Sequence, residues 1–353
     1  VFAPEFFITP LLSKWVGRPV KFSQSRTEAM LQMTHGRDQE HDLEVGFDRN
    51  GRIKALRMVV TQNLGAYADP TGLGLPVLTN WMAGGCYKIA KVQTAFRCVV
   101  TNTTPVAAYR GAGRPEATYA VERLVDLVSR RTGIDPVEVR RRNFIQPQDF
   151  PYETHNQAVI YDSGNFPALM DECVRLLDYE VERKRQEEFR NDPSKPLIGI
   201  GFSTWIEIAG FGPNGSLEGF GHLASWESTQ IRIHPDGSAT VFIGSAPHGQ
   251  GTETVVSQIA ADELGISFDR INIVYGDTGT VIQGIGTLGS RSVPMVGSAT
   301  KVASQRLLER AKRIAGHLLE ASEDDLIVAD DSFSVRGTPG KKVGWADVAL
   351  ASF

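Results

Sequence analysis

The helix-period stripe of Ala117, Ala120, Val121, Leu124, Val125 and Val128, with Glu116, Glu122, Arg123, Asp126 and Arg130 opposite it, predicts an amphipathic helix with one face in a core. Pro115 stands in its first turn and Gly133 just past its end, where those residues are favoured. Asp135-Pro136-Val137-Glu138 reads as a restart, with Asp135 as N-cap, Pro136 at N1 and Glu138 at N3. Ahead of the long helix a β-branched, Pro-interrupted run is extended as far as Tyr109, and Gly111-Ala112-Gly113 turns it. Free N–H groups and the helix dipole at such a corner favour an anion or the polar edge of a cofactor. Ordinary packing corners have the same pattern.

The remaining pattern gives mixed elements. Pro4 to Pro19 reads as a helix with Pro10 as a defect, PVKFSQ as a strand, and Arg26 to Met33 as a short helix. His41 to Phe47 and Ile53 to Thr61 flank Asn50-Gly51, a strong hairpin signal, and Gln93 to Thr101 is a further strand. A helix is expected from Phe166 to about Arg190, burying Leu169, Met170, Cys173, Leu176 and Leu177, and then a linker, NDPSKP. The second half opens with an expected strand, Leu197 to Ile208, and a glycine-rich loop, AGFGPNGSLEGFG. A hairpin around Pro235-Asp236-Gly237 follows, then Gly249-Gln250-Gly251 ahead of a helix that Gly265 closes, and a strand from Ile271 to Tyr275. GDTGTVIQGIGTLGSRSVPMVGSA leads into a helix from about Gly297 to Leu319, and Leu326 to Val328 pairs with Phe333 to Val335. The fold class is α+β: two elongated mixed domains of largely antiparallel sheets with packed helices, divided as 1–191 and 192–353.

Composition narrows the chemistry. With 353 residues and a net charge of −4, from 37 basic and 41 acidic residues, nothing favours nucleic acid or an anionic membrane. Cys86, Cys98 and Cys173 are too scattered for a disulfide framework, a zinc site or an iron–sulfur site, so a reducing, cytoplasmic setting is the default. No apolar run approaches the roughly 20 residues needed for a bilayer span. The seven histidines, among them His35, His41, His222 and His248, show no metal-ligand spacing. No Walker loop or nucleophile elbow occurs. Glu207 reads as a paired core carboxylate ahead of a catalytic one. Arg110 is either a clamp for a substrate carbonyl or carboxylate, or a structural ion pair. Glycine corners near 111, 249 and 289 together fit a large phosphate-bearing cofactor laid across two domains. Three unrelated packing corners remain the alternative.

AYRGAGRPEATYAVERLVDLVSRRTGIDPVEVRRRNFI closely resembles the molybdopterin-binding large subunit of the xanthine dehydrogenase and aldehyde oxidase family, in its bacterial carbon-monoxide-dehydrogenase-like branch. HGQGTETVVSQIAADELG and GTLGSRSVPMVGSA resemble that family's second cofactor region, and GRPVKFSQSR, NGRIKAL, GAYAD and CYKI its first. The resemblance implies molybdopterin, as the cytosine dinucleotide, with molybdenum held by the pterin and not by side chains. It implies oxidative hydroxylation of an aldehyde or N-heterocyclic carbon with water as oxygen source. Electrons would pass to [2Fe–2S] and FAD on small and medium partner subunits, in a dimer of heterotrimers. By the same resemblance Arg110 is the active-site arginine, and Gly111 and Ala112 are backbone beside metal and substrate. Gln250, within Gly249-Gln250-Gly251-Thr252, approaches the metal's oxo group. Gly286, Thr287, Leu288, Gly289, Ser290, Arg291 and Ser292 form the turn that binds the pterin and its phosphates.

The departures from the family pattern are informative. Gly111 stands where the carbon monoxide oxidising members carry a copper-binding cysteine, which argues against that substrate, and Ala112 replaces the bulky aromatic of the eukaryotic purine oxidisers. The family's C-terminal base glutamate and its upstream G-G-x-F-G-x-K loop are not found, so a fragment truncated at both ends, inactive alone, is expected. The rival readings are a carbon-monoxide-dehydrogenase-like protein of other activity and a non-catalytic scaffold relative. Gln250 and the Ser290/Ser292 loop speak against the scaffold.

Overall fold

A computed structural model describes residues 3–157, 159–210, 226–281 and 283–352. The chain forms two compact units, Val1–Glu207 and Ile208–Phe353. Composition places the linker at 191/192, whereas the backbone groups residues up to Glu207 with the first unit. Ile200, Phe202 and Ile206 pack on the first core, and Gln186 and Arg140 donate to the Ile198 and Phe202 carbonyls at 2.9 and 3.1 Å. These bonds explain why the expected strand over 197–208 is not one. The segment has the alternation of a strand, but side chains take two of its carbonyls and it joins no ladder among the described residues.

The first unit runs α1 (Glu5–Val16), α2 (Arg26–Gln32), β1 (Gln39–Phe47), β2 (Ile53–Asn63), α3 (Pro70–Trp81), β3 (Lys91–Val99), α4 (Arg114–Thr132), α5 (Pro136–Asn143), β4 (Tyr152–Glu153), β5 (Ile160–Tyr161), α6 (Phe166–Leu176) and α7 (Tyr179–Asn191). PVKFSQ forms no strand. β1 and β2 make the Asn50-Gly51 hairpin, where the Asp48 carboxylate accepts the Asn50 and Arg52 N–H groups at 3.0 Å. β3 pairs parallel to β2, which requires a crossover, and α3 is that crossover. Its sequence, PTGLGLPVLTNW, has no apolar stripe from which a helix would be predicted. Asp69 caps it onto Thr71 N at 2.8 Å, and Gly72 lets it lie against the Val106 carbonyl, where a Cβ would stand 2.2 Å away.

Leu56, Met58 and Val60 of β2 point into one core with Val121, Leu124, Val125 and Val128 of α4, so the predicted stripe faces the predicted strand. The expected helix from Phe166 breaks into α6 and α7 at Asp178, which has a φ of 49°. Of its expected buried face only Met170 is buried; Leu169, Leu176 and Cys173 are exposed. Beneath α4, Glu122 and Arg140 form a buried ion pair at 2.8 Å, at 8% and 0% exposure, which Thr204 and the Tyr87 hydroxyl complete.

The second unit runs β6 (Thr229–Ile233), β7 (Ala239–Ile243), α8 (Thr252–Leu264), β8 (Ile271–Val274), α9 (Ser298–Leu319), β9 (Leu326–Ala329), β10 (Ser332–Val335), β11 (Thr338–Gly344) and α10 (Trp345–Leu350). β6 and β7 form the expected hairpin, and β8 returns parallel to β7 after α8. The strand pairings described are otherwise antiparallel. Leu264, Ala311, Ala315, Leu319, Phe333 and Trp345 share a core in which the Phe333 and Trp345 rings meet edge to face at 4.8 Å. Val241, Ile243, Val256, Ala260 and Val296 form another beneath the loops that precede α8 and α9. Most of the glycine-rich loop after Ile208, with His222, lies outside the described residues. No helix of the described residues is long and apolar enough to cross a membrane.

Candidate functional site

In the first unit the chain leaves β3 and reaches α4 through residues 100–113. A neighbouring segment braces this loop: His35 N–H donates to Pro105 O and Ala107 N–H to His35 O, each at 2.9 Å. The Arg37 guanidinium lies 5.1 Å from the Tyr109 ring centroid, donates to both Glu116 oxygens at 3.3 Å, and also donates to the Arg110 carbonyl. Arg37 and Asp38 have φ of 73° and 56°, a strained pairing for side-chain-bearing residues. The buried Gln62 carboxamide holds it by donating to the Arg37 carbonyl at 3.0 Å.

The Arg110 backbone is therefore fixed, while its side chain is exposed and has no hydrogen-bond or ion-pair partner among the described residues. Gly111 leaves no room for a side chain: its φ is 91° and a Cβ would stand 2.6 Å from Pro115 Cγ. Ala112 follows with a φ of 37°. Behind the turn Arg114 pairs with Glu207 at 2.5 Å, the paired role expected of that carboxylate.

In the second unit two loops lie side by side. One carries β7 through Gly244–Gly251 into α8, and the other carries the chain through Gly286–Ser292 and a single π turn, Val293–Gly297, into α9. The Thr287 hydroxyl donates to Ala246 O at 2.6 Å, and the Ser292 and Thr287 hydroxyls are 3.2 Å apart. A Cβ added at Gly249, Gly251 or Gly286 would meet nothing within 4 Å, so these glycines border open space. Their φ values of 93°, 79° and 100° set the backbone. Thr252 opens α8 at 2% exposure, and its hydroxyl has no partner among the described residues. The Glu253 carboxylate beside it is hydrogen-bonded by Tyr275. Gln250 is exposed; its Oε1 accepts the His248 N–H, and its Nε2 donors have no partner among the described residues. Leu288 and Ser290 are exposed at the loop's outer edge.

Arg291 is placed differently from its neighbours. Its side chain is 1% exposed and paired at 2.9 Å with that of Glu227, which is 0% exposed. It also donates to the Gly286 carbonyl at 2.8 Å and the Trp226 carbonyl at 2.9 Å. The Ser245 hydroxyl donates to the same Glu227 oxygen at 2.9 Å. Sequence reasoning weighed Glu207 and passed over Glu227. The signal that marks Glu227 is spatial: Gly244 and Gly284, forty positions apart, both lack the Cβ that would stand 2.2 and 2.0 Å from its Oε1.

Two family models, each described as a molybdopterin cofactor-binding domain, match residues 2–144 and 172–353. The chain belongs to the molybdopterin cofactor-binding family. The carbon monoxide dehydrogenase large chain of Hydrogenophaga pseudoflava is 36% identical over 99% of this chain and 44% of its own length. The nicotine 6-hydroxylase large subunit of Paenarthrobacter nicotinovorans is 31% identical over 99% of this chain and 43% of its own. The crystal structure of quinoline 2-oxidoreductase from Pseudomonas putida 86 superposes with a TM-score of 0.84 at 33% identity, covering 99% of this chain and 44% of that one. The first two relatives are named as a large chain and a large subunit, and this chain spans less than half the length of each of the three.

The second unit's residues fit the family's cofactor. An orphaned buried hydroxyl at a helix N-terminus, N–H groups of the first turn and three open glycines form a cradle for phosphate oxygens and a flat polar ring. Among the described residues no group of three or more His, Cys, Asp or Glu side chains could hold a metal ion. Burial, with the nearby Glu122 carboxylate, pushes the Cys86 thiol up to about 12, so it is protonated and inert.

Proposed function

We propose that this chain is the cofactor-holding part of a molybdenum hydroxylase large subunit. The enzyme hydroxylates an aldehyde or N-heterocyclic carbon with water as oxygen source and passes electrons to [2Fe–2S] and FAD partner subunits. The observation that carries the proposal is the Thr252 hydroxyl, buried without a partner beside three glycines that border open space. A buried polar group left without a partner costs about 1–3 kcal/mol, which a ligand oxygen at that place would recover. When bound, the molybdopterin supplies the redox centre.

The chain's own residues bind and orient. The Gly249–Thr252 and Gly286–Ser292 loops take the pterin and its phosphates, with the cytosine dinucleotide as the expected form. Gln250, whose oxygen is committed to His248, has amide hydrogens to offer an oxygen acceptor. Arg110, fixed by its carbonyl and open at its guanidinium, orients a substrate carbonyl, carboxylate or ring nitrogen. The relatives named for nicotine and quinoline favour the N-heterocyclic class. Carbon monoxide is disfavoured because the position of the copper-binding cysteine is Gly111, and Pro115 leaves no space there for any Cβ.

The test is elemental and pterin analysis of the purified complex, with a turnover screen across aldehydes and N-heterocycles. Stoichiometric molybdenum and pterin are expected, with Gln250→Ala lowering metal occupancy or turnover. A correctly assembled complex without molybdenum, made with ample molybdenum supply, would refute the proposal.

A further inference from the structure

We propose that Glu227 and Arg291 are positioning residues that set the spacing of the two cofactor loops of the second unit, with the Arg291 Nη atoms spent on the protein and not on the cofactor. The inference rests on the functional reading above. The family turn Gly286–Ser292 contains one charged side chain, and in an anion-binding loop an arginine would ordinarily be assigned to the phosphate. The geometry points to another use. The guanidinium is buried, its Nη atoms are taken by Glu227 Oε2, the Gly286 carbonyl and the Trp226 carbonyl, and only its Nε has no partner among the described residues.

The ion pair joins both loops through one carboxylate. Glu227 Oε2 accepts from Ser245, in the loop that leads to α8, and from Arg291, which holds Gly286 in the loop that leads to α9. Glu227 Oε1 occupies a slot that exists because residues 244 and 284 are glycines. An antiparallel bridge between Glu227 and Gly284, and the Ser228 hydroxyl on the Gln283 carbonyl, keep the slot closed. Replacing a buried pair with apolar side chains of similar volume often leaves stability unchanged or raised. A pair bonded to both loops at once is therefore better explained by placement of those loops than by stability. Turning the Gly286 carbonyl inward fixes which way that peptide's other face looks, and Gly286 is one of the glycines that border the open cradle.

The double variant Glu227→Met/Arg291→Met separates placement from stability. In the complete enzyme with its partner subunits, its thermal midpoint is expected within about 3 °C of wild type. Its pterin content after gel filtration is expected to fall about tenfold or more, the range seen when outer-sphere supports of a cofactor are lost. Wild-type pterin content in a folded double variant would overturn the proposal. Should the double variant fail to fold, Glu227→Asp keeps the charge but shortens the reach. Amide hydrogen exchange is then expected to quicken together in residues 245–251 and 284–292, with 302–344 unchanged. Exchange that quickens in one loop alone, or in neither, would overturn the proposal. A wild-type enzyme that carries no pterin would refute the functional reading instead, and the exchange comparison would still decide the role of the pair.

Discussion

The two units share a plan, a hairpin, a crossover helix, a parallel third strand and a long helix, but they use arginine at the glycine corners in opposite ways. In the first unit Arg110 is displayed: its carbonyl is anchored by Arg37 and its guanidinium is exposed. In the second, Arg291 is the anchor, and what the corner offers is glycine backbone bordering open space with a buried, unpartnered threonine hydroxyl behind it. A corner that presents charge needs a rigid backbone and an open side chain; one that presents amides needs the charge placed underneath. The first suits orientation of a substrate and the second suits retention of a phosphate-bearing cofactor.

Substitutions at each kind of corner put this contrast to the test. The largest effect is expected where the first unit keeps its own buried pair, remote from any loop. Glu122→Gln removes the buried carboxylate from Arg140, leaves it only the Asp126 carboxylate at 3.1 Å, and should cost about 3 kcal/mol or more in denaturant unfolding. Next, Arg110→Ala should change stability by no more than about 0.5 kcal/mol yet lower turnover roughly 100- to 1000-fold, with pterin content unchanged. Loss of pterin in that variant would end the division of labour drawn here.

A pair of alanine substitutions comes third. At Gly113 a Cβ would stand 2.7 Å from the Leu75 carbonyl oxygen, so Gly113→Ala should destabilise by about 2–3 kcal/mol. At Gly286 the Cβ meets open space, so Gly286→Ala should cost only roughly 1–2 kcal/mol of backbone strain while pterin is lost.

The smallest effect is one of pH. Burial pushes the His41 imidazole below its ordinary value, against the opposing pull of Glu116. Its contribution is present above the unfolded imidazole range and is lost as pH falls through the depressed folded value. Unfolding measurements from about pH 7 to about pH 5 should show a shallower slope in His41→Gln than in wild type.

Regular patterns in the chain were legible in advance. The α4 stripe, the Asn50-Gly51 hairpin, the Asp135 cap and the glycine corners were all set by local residues and stand in the structure. Asp135 accepts the Val137 N–H at 2.8 Å, although Glu138 turns to Arg142 and does not close the capping box. The features the sequence does not show depend on partners distant along the chain. α3 is made a helix by a cap and by packing against Val106, not by a stripe. The alternation over 197–208 looks like a strand because one side of an extended chain packs on a core. Glu227 has no local mark, since its slot is made by glycines at 244 and 284. For the same reason the sequence could place Arg291 in the cofactor turn but not tell which way it faces.

The division of labour is tested most directly by pterin analysis of Arg110→Ala and Gly286→Ala, purified side by side from the complete enzyme. Wild-type pterin is expected in Arg110→Ala and depleted pterin in a folded Gly286→Ala. The reverse order, or equal retention in both, would contradict the division of labour.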